Sequence, residues 1–339
     1  MYGWGYRPYS YKDIDDFYPD TQDAVYGTTA YETAVAATRL SFPATSTTAV
    51  DSVVIANGNT WTGNLGAAAL AGAGRGPLLL TSKTYLSQVA ETTLARLQPK
   101  KVYVMGGPSI ISKPVTDKIT GLGFKVVRVT GTDRYITSSR AAVKAVSLAR
   151  AEGRTVDTAY LVASEAFCDG VAVSPIAAGT ARPILLTRRT TVPATTFDAL
   201  KKTGIKRVYI VGSTHVVSDS VVKALRKRGI SVGRRSGKTR YETALSIAQH
   251  GAGIKGAGLT WTQVGVSSGT ALSGALTYGV AQGQAGSLLL FTPGSKLYSG
   301  ASTEIARQRA GIGKVRVYGG YNVIGLSVRS SIAKIMRAK

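Results

Sequence analysis

The chain has 339 residues, with 42 Lys and Arg against 18 Asp and Glu and a formal net charge of +24. Only 18% of its residues are charged while 44% are hydrophobic. That composition excludes a disordered basic tail and indicates a folded protein of two or three domains whose surface attracts a polyanion. With one cysteine, Cys168, and two histidines, His215 and His250, the chain can form no internal disulfide. For the same reason it holds no structural zinc site made of four cysteines, or of two cysteines and two histidines. No uninterrupted apolar stretch reaches the ~18 residues of a membrane span; the longest candidate, 66–80, is broken by Arg75.

The first 22 residues are rich in Tyr, with Trp4 and Phe17, and carry Asp13, Asp15, Asp16 and Asp20. They read as a strap or linker. They contain no basic and apolar regions of an export signal and no cleavage site, so the expectation is either an intracellular protein or a mature or truncated form of an exported one. From there on the chain repeats. GTTAYETA starts at Gly27, GTDRYITS at Gly131 and GKTRYETA at Gly237. GPLLLT, ARPILLT and SLLLFT centre on Leu79, Leu185 and Leu289, and VYVMGGPSIIS, VYIVGSTHVVS and VRVYGGYNVIG start at Val102, Val208 and Val315. Three blocks in one order at a near-constant period indicate a triplicated unit of about 105 residues.

Within the second copy, a short β-branched segment (126–129) precedes a helix whose Ala142, Val143, Val146 and Ala149 form one apolar stripe. There follow a strand at 159–163, a small-residue helix at 170–178, the apolar strand 184–186 and a helix at 195–202. A strand at 208–211, Gly212 and a helix at 218–228 complete the copy. Short strands that are apolar throughout, alternating with helices, predict a mainly parallel sheet covered on both faces and joined by right-handed crossovers. Starting each unit at its leading strand divides the chain into 23–123, 124–229 and 230–339, with net charges of +3, +11 and +12, after a leader (1–22) of −2. No Pro/Gly/Ser-rich linker separates the units, so they are expected to pack tightly and to close around a pseudo-threefold axis.

Catalytic sets are hard to assemble from these residues. The third unit offers only Glu242 and Glu304 as acids. His215 lies close in sequence to Ser213, Ser218 and Asp219, but side chains on one turn do not form the relay of a catalytic triad. Cys168 falls on an expected loop with no neighbouring His and reads as a structural thiol. The turns at Gly106-Gly107, Gly212 and Gly319-Gly320 join strand to helix, with Ser112 and Ser218 at N-cap positions. Their free N–H groups suit an anion, although such turns need glycine on backbone grounds alone. The one G-x-G-x-x-G, at Gly251, Gly253 and Gly256, follows a helix where a dinucleotide site needs a strand, and no P-loop is present. Basic clusters such as Arg188-Arg189 and Arg226-Lys227-Arg228 are short, with no nucleic-acid-binding motif or aromatic ladder beside them. The one Asp-x-Asp, Asp13-Ile14-Asp15, lies in the leader. No cofactor, metal, catalytic residue or obligate oligomer is therefore expected.

The ordered blocks Gly-x-x-Arg-Tyr-Glu-Thr-Ala, aromatic-x-Asp-Ala-Leu, Pro-Ile-Leu-Leu-Thr and Gly-Gly-x-x-x-Val-Ser resemble the bacterial type 2 cell-wall-binding repeat. The resemblance implies three tandem Toprim-like or flavodoxin-like three-layer α/β units in a pseudo-threefold arrangement. It also implies non-catalytic, noncovalent anchoring of a surface protein to an anionic wall polysaccharide or teichoic-acid-like polymer, at the extracellular wall surface. Such repeats also accompany wall amidases, so an accessory region of a wall hydrolase is one alternative and a basic nucleic-acid-binding protein another. Carried over by residue, the family's Arg-Tyr pair is Arg134-Tyr135 and Arg240-Tyr241, with Ala30-Tyr31 in the first unit. Its Asp is Asp169, after Phe167; the aligned positions are Gly63, after Trp61, and Ser273. The Ile-Leu-Leu triplet, implicated in anchoring in the family, is Leu78-Leu79-Leu80, Ile184-Leu185-Leu186 and Leu288-Leu289-Leu290. The residues themselves read as buried central strands, whose effect on anchoring could reflect folding. Arg134 and Arg240 are candidates for a phosphate or carboxylate, or for ion pairs with Asp133 or Glu242. Binding is expected to be polyvalent, weak per site and weakened by salt, and the first unit, lacking both Arg and Asp, mainly structural.

Overall fold

A computed structural model describes residues 20–39, 41–43, 50–60, 63–272 and 274–338, so most of the leader, Trp61 and Ser273 lie outside the described residues. The chain begins with β1 (Gln22–Val25) and α1 (Ala30–Thr38), then alternates β2 (Ser52–Asn57), α2 (Ala67–Ala73), β3 (Leu78–Thr81), α3 (Gln88–Leu97), β4 (Lys101–Met105) and α4 (Lys113–Gly121). The pattern repeats as β5 (Val126–Val129), α5 (Arg134–Ala151), β6 (Thr158–Ala163), α6 (Phe167–Thr180), β7 (Ile184–Thr187), α7 (Ala194–Thr203), β8 (Arg207–Val211) and α8 (Asp219–Arg226). The third copy is β9 (Ser231–Arg235), α9 (Arg240–Ala252), β10 (Gly265–Ser268), α10 (Ala275–Gln284), β11 (Leu289–Thr292), α11 (Ser299–Gln308), β12 (Val315–Tyr318) and α12 (Leu326–Arg337).

Three four-stranded parallel sheets result, in the orders β3-β2-β4-β5, β7-β6-β8-β9 and β11-β10-β12-β1. The strand that opens each repeat is hydrogen-bonded into the sheet of the unit before it: β5 beside β4, β9 beside β8, and β1 beside β12. Sequence repeats and sheets are thus offset by one strand. The last handover joins the two ends of the chain, Gln22 opposite Val315 through Val25 opposite Tyr318. Gln22 donates to the Arg329 carbonyl at 2.9 Å, and Asp20 and Asp23 pair with Arg337 and Lys314 at 2.6 and 3.2 Å.

The helices close the same cycle. α2, α6 and α10 pack on one another at the centre, and each also takes the first helix of the next unit: α5 on α2, α9 on α6, α1 on α10. Close approach requires small residues. A Cβ on Gly72 would lie 1.9 Å from the Ala178 carbonyl oxygen, and one on Gly283 would lie 2.0 Å from that of Pro175. These contacts explain the Gly/Ala-rich composition of α2 and α10, which would be a poor choice for a solvent-facing helix. Strand residues alternate between two layers. Val54 and Ala56 join a core shared by all three units, while Val53 and Ile55 face a separate core beneath α3 and α4.

The helix starts give the Gly-x-x-x-Tyr-x-Thr block a physical meaning. Thr29 and Glu32 form a capping box on α1. Thr239 caps α9 by accepting from the Glu242 N–H at 3.2 Å, and Asp133 caps α5 by accepting from that of Ile136 at 2.7 Å. Thr33, Thr137 and Thr243 each accept from the N–H of the block's glycine, at 2.9, 2.9 and 3.0 Å.

Two local expectations are corrected. The Ile/Leu triplets lie on β3, β7 and β11 (with Leu288 just before β11), and these are edge strands, not central ones. They read as central because helices cover both faces; their outer carbonyls are met by side chains instead of a further strand. Ser87 and Thr196 hydroxyls donate to Leu80 and Leu186 at 3.0 and 2.8 Å, and Ser138 donates to Ile184 at 3.0 Å. Ser112 and Ser218 do occupy N-cap positions, but neither side chain accepts a helix N–H. Their backbone N–H groups instead tie the turn to the Lys83 and Arg189 carbonyls, both at 2.8 Å.

Candidate functional site

In each sheet the first strand that the unit keeps for itself sits inside, with the next strand on one side and the following one on the other. In the second unit β6 is flanked by β7 and β8, so the chain's path diverges between β6 and β8. Open α/β sheets bind ligands at the carboxyl ends of strands where that divergence occurs. A cleft of about 720 Å³ lies there. Its floor is Ala163 at the end of β6 and Glu165 to Asp169 after it, and one wall is Ser213, His215 and Val216 after β8. Arg189, after β7, contributes to the rim. The roof belongs to the next unit: Gly237 to Arg240, Thr243 and Leu272. β9, handed to β8, delivers the start of α9 directly over the carboxyl ends of β6 and β8.

Three cations and two carboxylates line this cleft. Arg240, the first residue of α9, donates to the Gly269 carbonyl at 2.8 Å, and Arg189 donates through Nε to the His215 carbonyl at 2.8 Å. Lys238 is exposed. Asp169 stands in the first turn of α6. Burial pushes its carboxyl up to about 6, with Arg240 opposing the shift. Cys168 lies in the same turn, and not in a loop as its sequence context suggested. Its thiol donates to the Gly269 carbonyl at 3.5 Å, and burial pushes it up to about 12 in spite of Arg240 and the helix N-terminus. Loose positive charge, backbone-tethered guanidiniums and two acceptors suit an oxyanion carried on a hydroxylated ligand.

Residues 24–116, 128–222 and 234–329 each match the Cell wall binding domain 2 (CWB2) family. The chain belongs to that family. It is 31% identical to N-acetylmuramoyl-L-alanine amidase LytC of Bacillus subtilis (strain 168) over 82% of its own length and 51% of the amidase. It is 32% identical to the amidase enhancer of the same organism over 66% of its length and 29% of that protein. The chain thus spans about half or less of these curated relatives. Two solved structures share its fold: Cwp6 from Clostridium difficile (TM-score 0.81, 23% identity, 94% of this chain and 48% of that one) and Cwp8 (0.78, 23%, 93% and 52%). Cell wall binding is the function of the CWB2 triplet.

Among the CWB2 motif residues, Arg240 and Asp169 share the cleft. Arg134, at the matching start of α5, is exposed and forms no hydrogen bond or ion pair among the described residues. Neither arginine makes the ion pair considered from sequence, because Asp133 and Glu242 serve the helix starts instead. The motif tyrosines are struts. Tyr135 hydrogen-bonds Ser164 at 2.9 Å beneath Arg188, whose guanidinium lies 5.2 Å from the ring centre. Tyr241 packs against Gly269, 5.5 Å from the Tyr298 ring, and Tyr31 packs against Gly58. Each ring thus rests on the residue that follows the inner strand. All nine triplet residues, Leu78 to Leu80, Ile184 to Leu186 and Leu288 to Leu290, are at most 6% exposed, so they offer no surface to a polymer in this state.

Arg189 and Lys238 were not singled out from sequence. In sequence Arg189 is half of a short basic cluster, yet its place just past an apolar strand, at a carboxyl end, is the available signal. The Ser-His-Asp neighbours are engaged otherwise: Ser218 bonds Ser220 at 2.6 Å and Asp219 pairs with Arg234 at 3.3 Å. Among the described residues there is no cluster of three or more His, Cys, Asp or Glu suited to a metal, and no helix long and apolar enough to cross a membrane.

Proposed function

We propose that this chain is a non-catalytic anchor at the bacterial wall surface, holding an anionic wall glycan in the clefts between its units. The observation that carries the reading is the 720 Å³ cleft at the strand carboxyl ends, lined by Arg189, Lys238 and Arg240 from two neighbouring units. Its electrostatic contacts are solvent-accessible, so they weaken with rising salt. Sedimentation with purified walls tests the proposal, before and after chemical removal of the anionic polymer. Retention should fall on stripped walls and in high salt; equal retention on both wall preparations sinks the reading.

The likeness to an amidase and an amidase enhancer supports a second role, in which the same triplet targets a wall hydrolase to its substrate. Wall lysis by this chain alone in a zymogram would show that it carries catalysis itself.

A further inference from the structure

The three junctions between units are built from the same parts, and backbone geometry supplies the equivalences. The N–H groups of Ser112, Ser218 and Gly325, each preceding the last helix of a unit, donate at 2.8 Å to the carbonyls of Lys83, Arg189 and Gly294. Those three residues therefore occupy one position of the junction. The first residues of α5, α9 and α1 are Arg134, Arg240 and Ala30. The residues after the block's glycines, Gly131, Gly237 and Gly27, are Thr132, Lys238 and Thr28. At these three positions the second–third junction carries Arg189, Lys238 and Arg240. The first–second junction carries Lys83, Thr132 and Arg134, and the third–first junction Gly294, Thr28 and Ala30. At these three positions cationic side chains fall from three to two to none around the ring.

Fixation differs as well as charge. Arg189 is tethered by one bond to the His215 carbonyl of the cleft wall and Arg240 by one bond to the Gly269 carbonyl beyond the lining, which leaves most of the five guanidinium donors for a ligand and reduces the entropy lost on binding. Arg134 has no such tether among the described residues. The second–third cleft also contains Glu165, which accepts from the Ser164 hydroxyl, and Asp169. These carboxylates oppose a bare anion but accept hydrogen bonds from hydroxyls.

We propose that docking is concentrated at the second–third junction, where Arg189, Lys238 and Arg240 hold one oxyanion of the wall glycan while Glu165 and Asp169 accept hydroxyls of the sugar that bears it. The first–second junction holds a like group more weakly, and the third–first junction holds none. This rests on the reading that the chain docks an anionic glycan, and adds that its three modules are unequal.

The full chain and its variants would be sedimented with intact and polymer-stripped walls, with competition by oligomeric glycerol phosphate, by oligogalacturonate and by inorganic phosphate. Arg189→Ala with Arg240→Ala should weaken retention on intact walls at least about tenfold, through lost charge-assisted contacts. Lys83→Ala with Arg134→Ala should weaken it about threefold or less. Whichever oligomer competes better identifies the oxyanion as phosphodiester or carboxylate, and either should outcompete inorganic phosphate. Equal losses for the two double variants, a larger loss at the first–second junction, or competition by inorganic phosphate as strong as by both oligomers would overturn the proposal. If the first double variant melts early, Lys238→Glu decides, because that exposed side chain makes no hydrogen bond or ion pair within the described fold; unchanged retention in Lys238→Glu also overturns it. Equal retention of the unmodified chain on stripped walls refutes the parent reading, and this one with it.

Discussion

Leu185→Ala separates two explanations of the Ile/Leu triplets. Leu185 is 1% exposed, sits opposite Leu161 in the β6–β7 register and belongs to the core common to the three units. Truncating such a leucine removes its transfer free energy and leaves a cavity, together roughly 3–5 kcal/mol. Against a typical total of about 5–15 kcal/mol, that is a large share. Leu185→Met, which conserves volume, should cost less than about 1.5 kcal/mol. If the triplet acts through folding, Leu185→Ala lowers the urea midpoint strongly, Leu185→Met scarcely moves it, and both bind walls normally per folded molecule. Urea unfolding followed by circular dichroism, paired with sedimentation on walls in native buffer, reads both quantities. A variant that keeps its urea midpoint yet loses wall retention would show that the leucine touches polymer, and the burial argument would fail.

The raised Asp169 carboxyl makes the folded chain bind an extra proton between the unfolded value near 4 and about 6. Stability therefore rises as pH falls through that window, and ionised Asp169 weakens the fold above it; subtracting the profile of Asp169→Asn should isolate this slope, and no difference between the two profiles contradicts it. Carboxylates held low, such as Asp20 beside Arg337, act with the opposite sign and below that window. Deleting residues 1–26 strips β1 from β12 and should cost several kcal/mol, from ladder bonds at about 1 kcal/mol each and the burial of Val25 at about 1.5–3 kcal/mol. The open edge should also drive self-association; a deletion that stays monomeric by light scattering with an unchanged melting temperature refutes the closure. Cys168, part-buried in the cleft floor with its thiol pushed up to about 12, should alkylate slowly at pH 8 until the chain unfolds; rapid stoichiometric labelling of native protein would contradict the raised thiol.

Periodicity made the strands and helices of each copy legible. The segment 126–129 is β5 as expected, and the expected helix at 195–202 is α7 to within one residue at either end. Periodicity carries no phase, however. A repeat of about 105 residues says how often the pattern recurs, and not whether Val126 to Val129 pair with the strand before or after them. That choice depends on long-range packing, here the seating of α5 against α2. The edge position of β7 was hidden for a related reason: an all-apolar strand reports covered faces, and α5 covers β7 whatever its neighbours in the sheet. In the site, Asp169 and Arg240 were legible through the family motif. Arg189 was not, because a basic pair after a strand looks the same whether it meets water or a neighbouring unit.

The strand handover and the cleft are one device. Asp169 and Arg240 are 71 positions apart and belong to different repeats, yet they meet because β9 crosses the repeat boundary to pair with β8. From β9 the chain turns at Gly237 and starts α9 above the carboxyl ends of β6 and β8. A unit cut at its own repeat boundary would keep the floor of the cleft but lose both its fourth strand and the roof that brings Lys238 and Arg240. Open pairs of units would still leave one sheet without its fourth strand. Only when β1 returns to β12 does every sheet have four strands. The ring is closed by strand pairing and helix packing, which do not depend on a cation at Gly294, Thr28 or Ala30. Three copies are thus needed to complete the sheets, whereas the side chains at the junctions are free to differ.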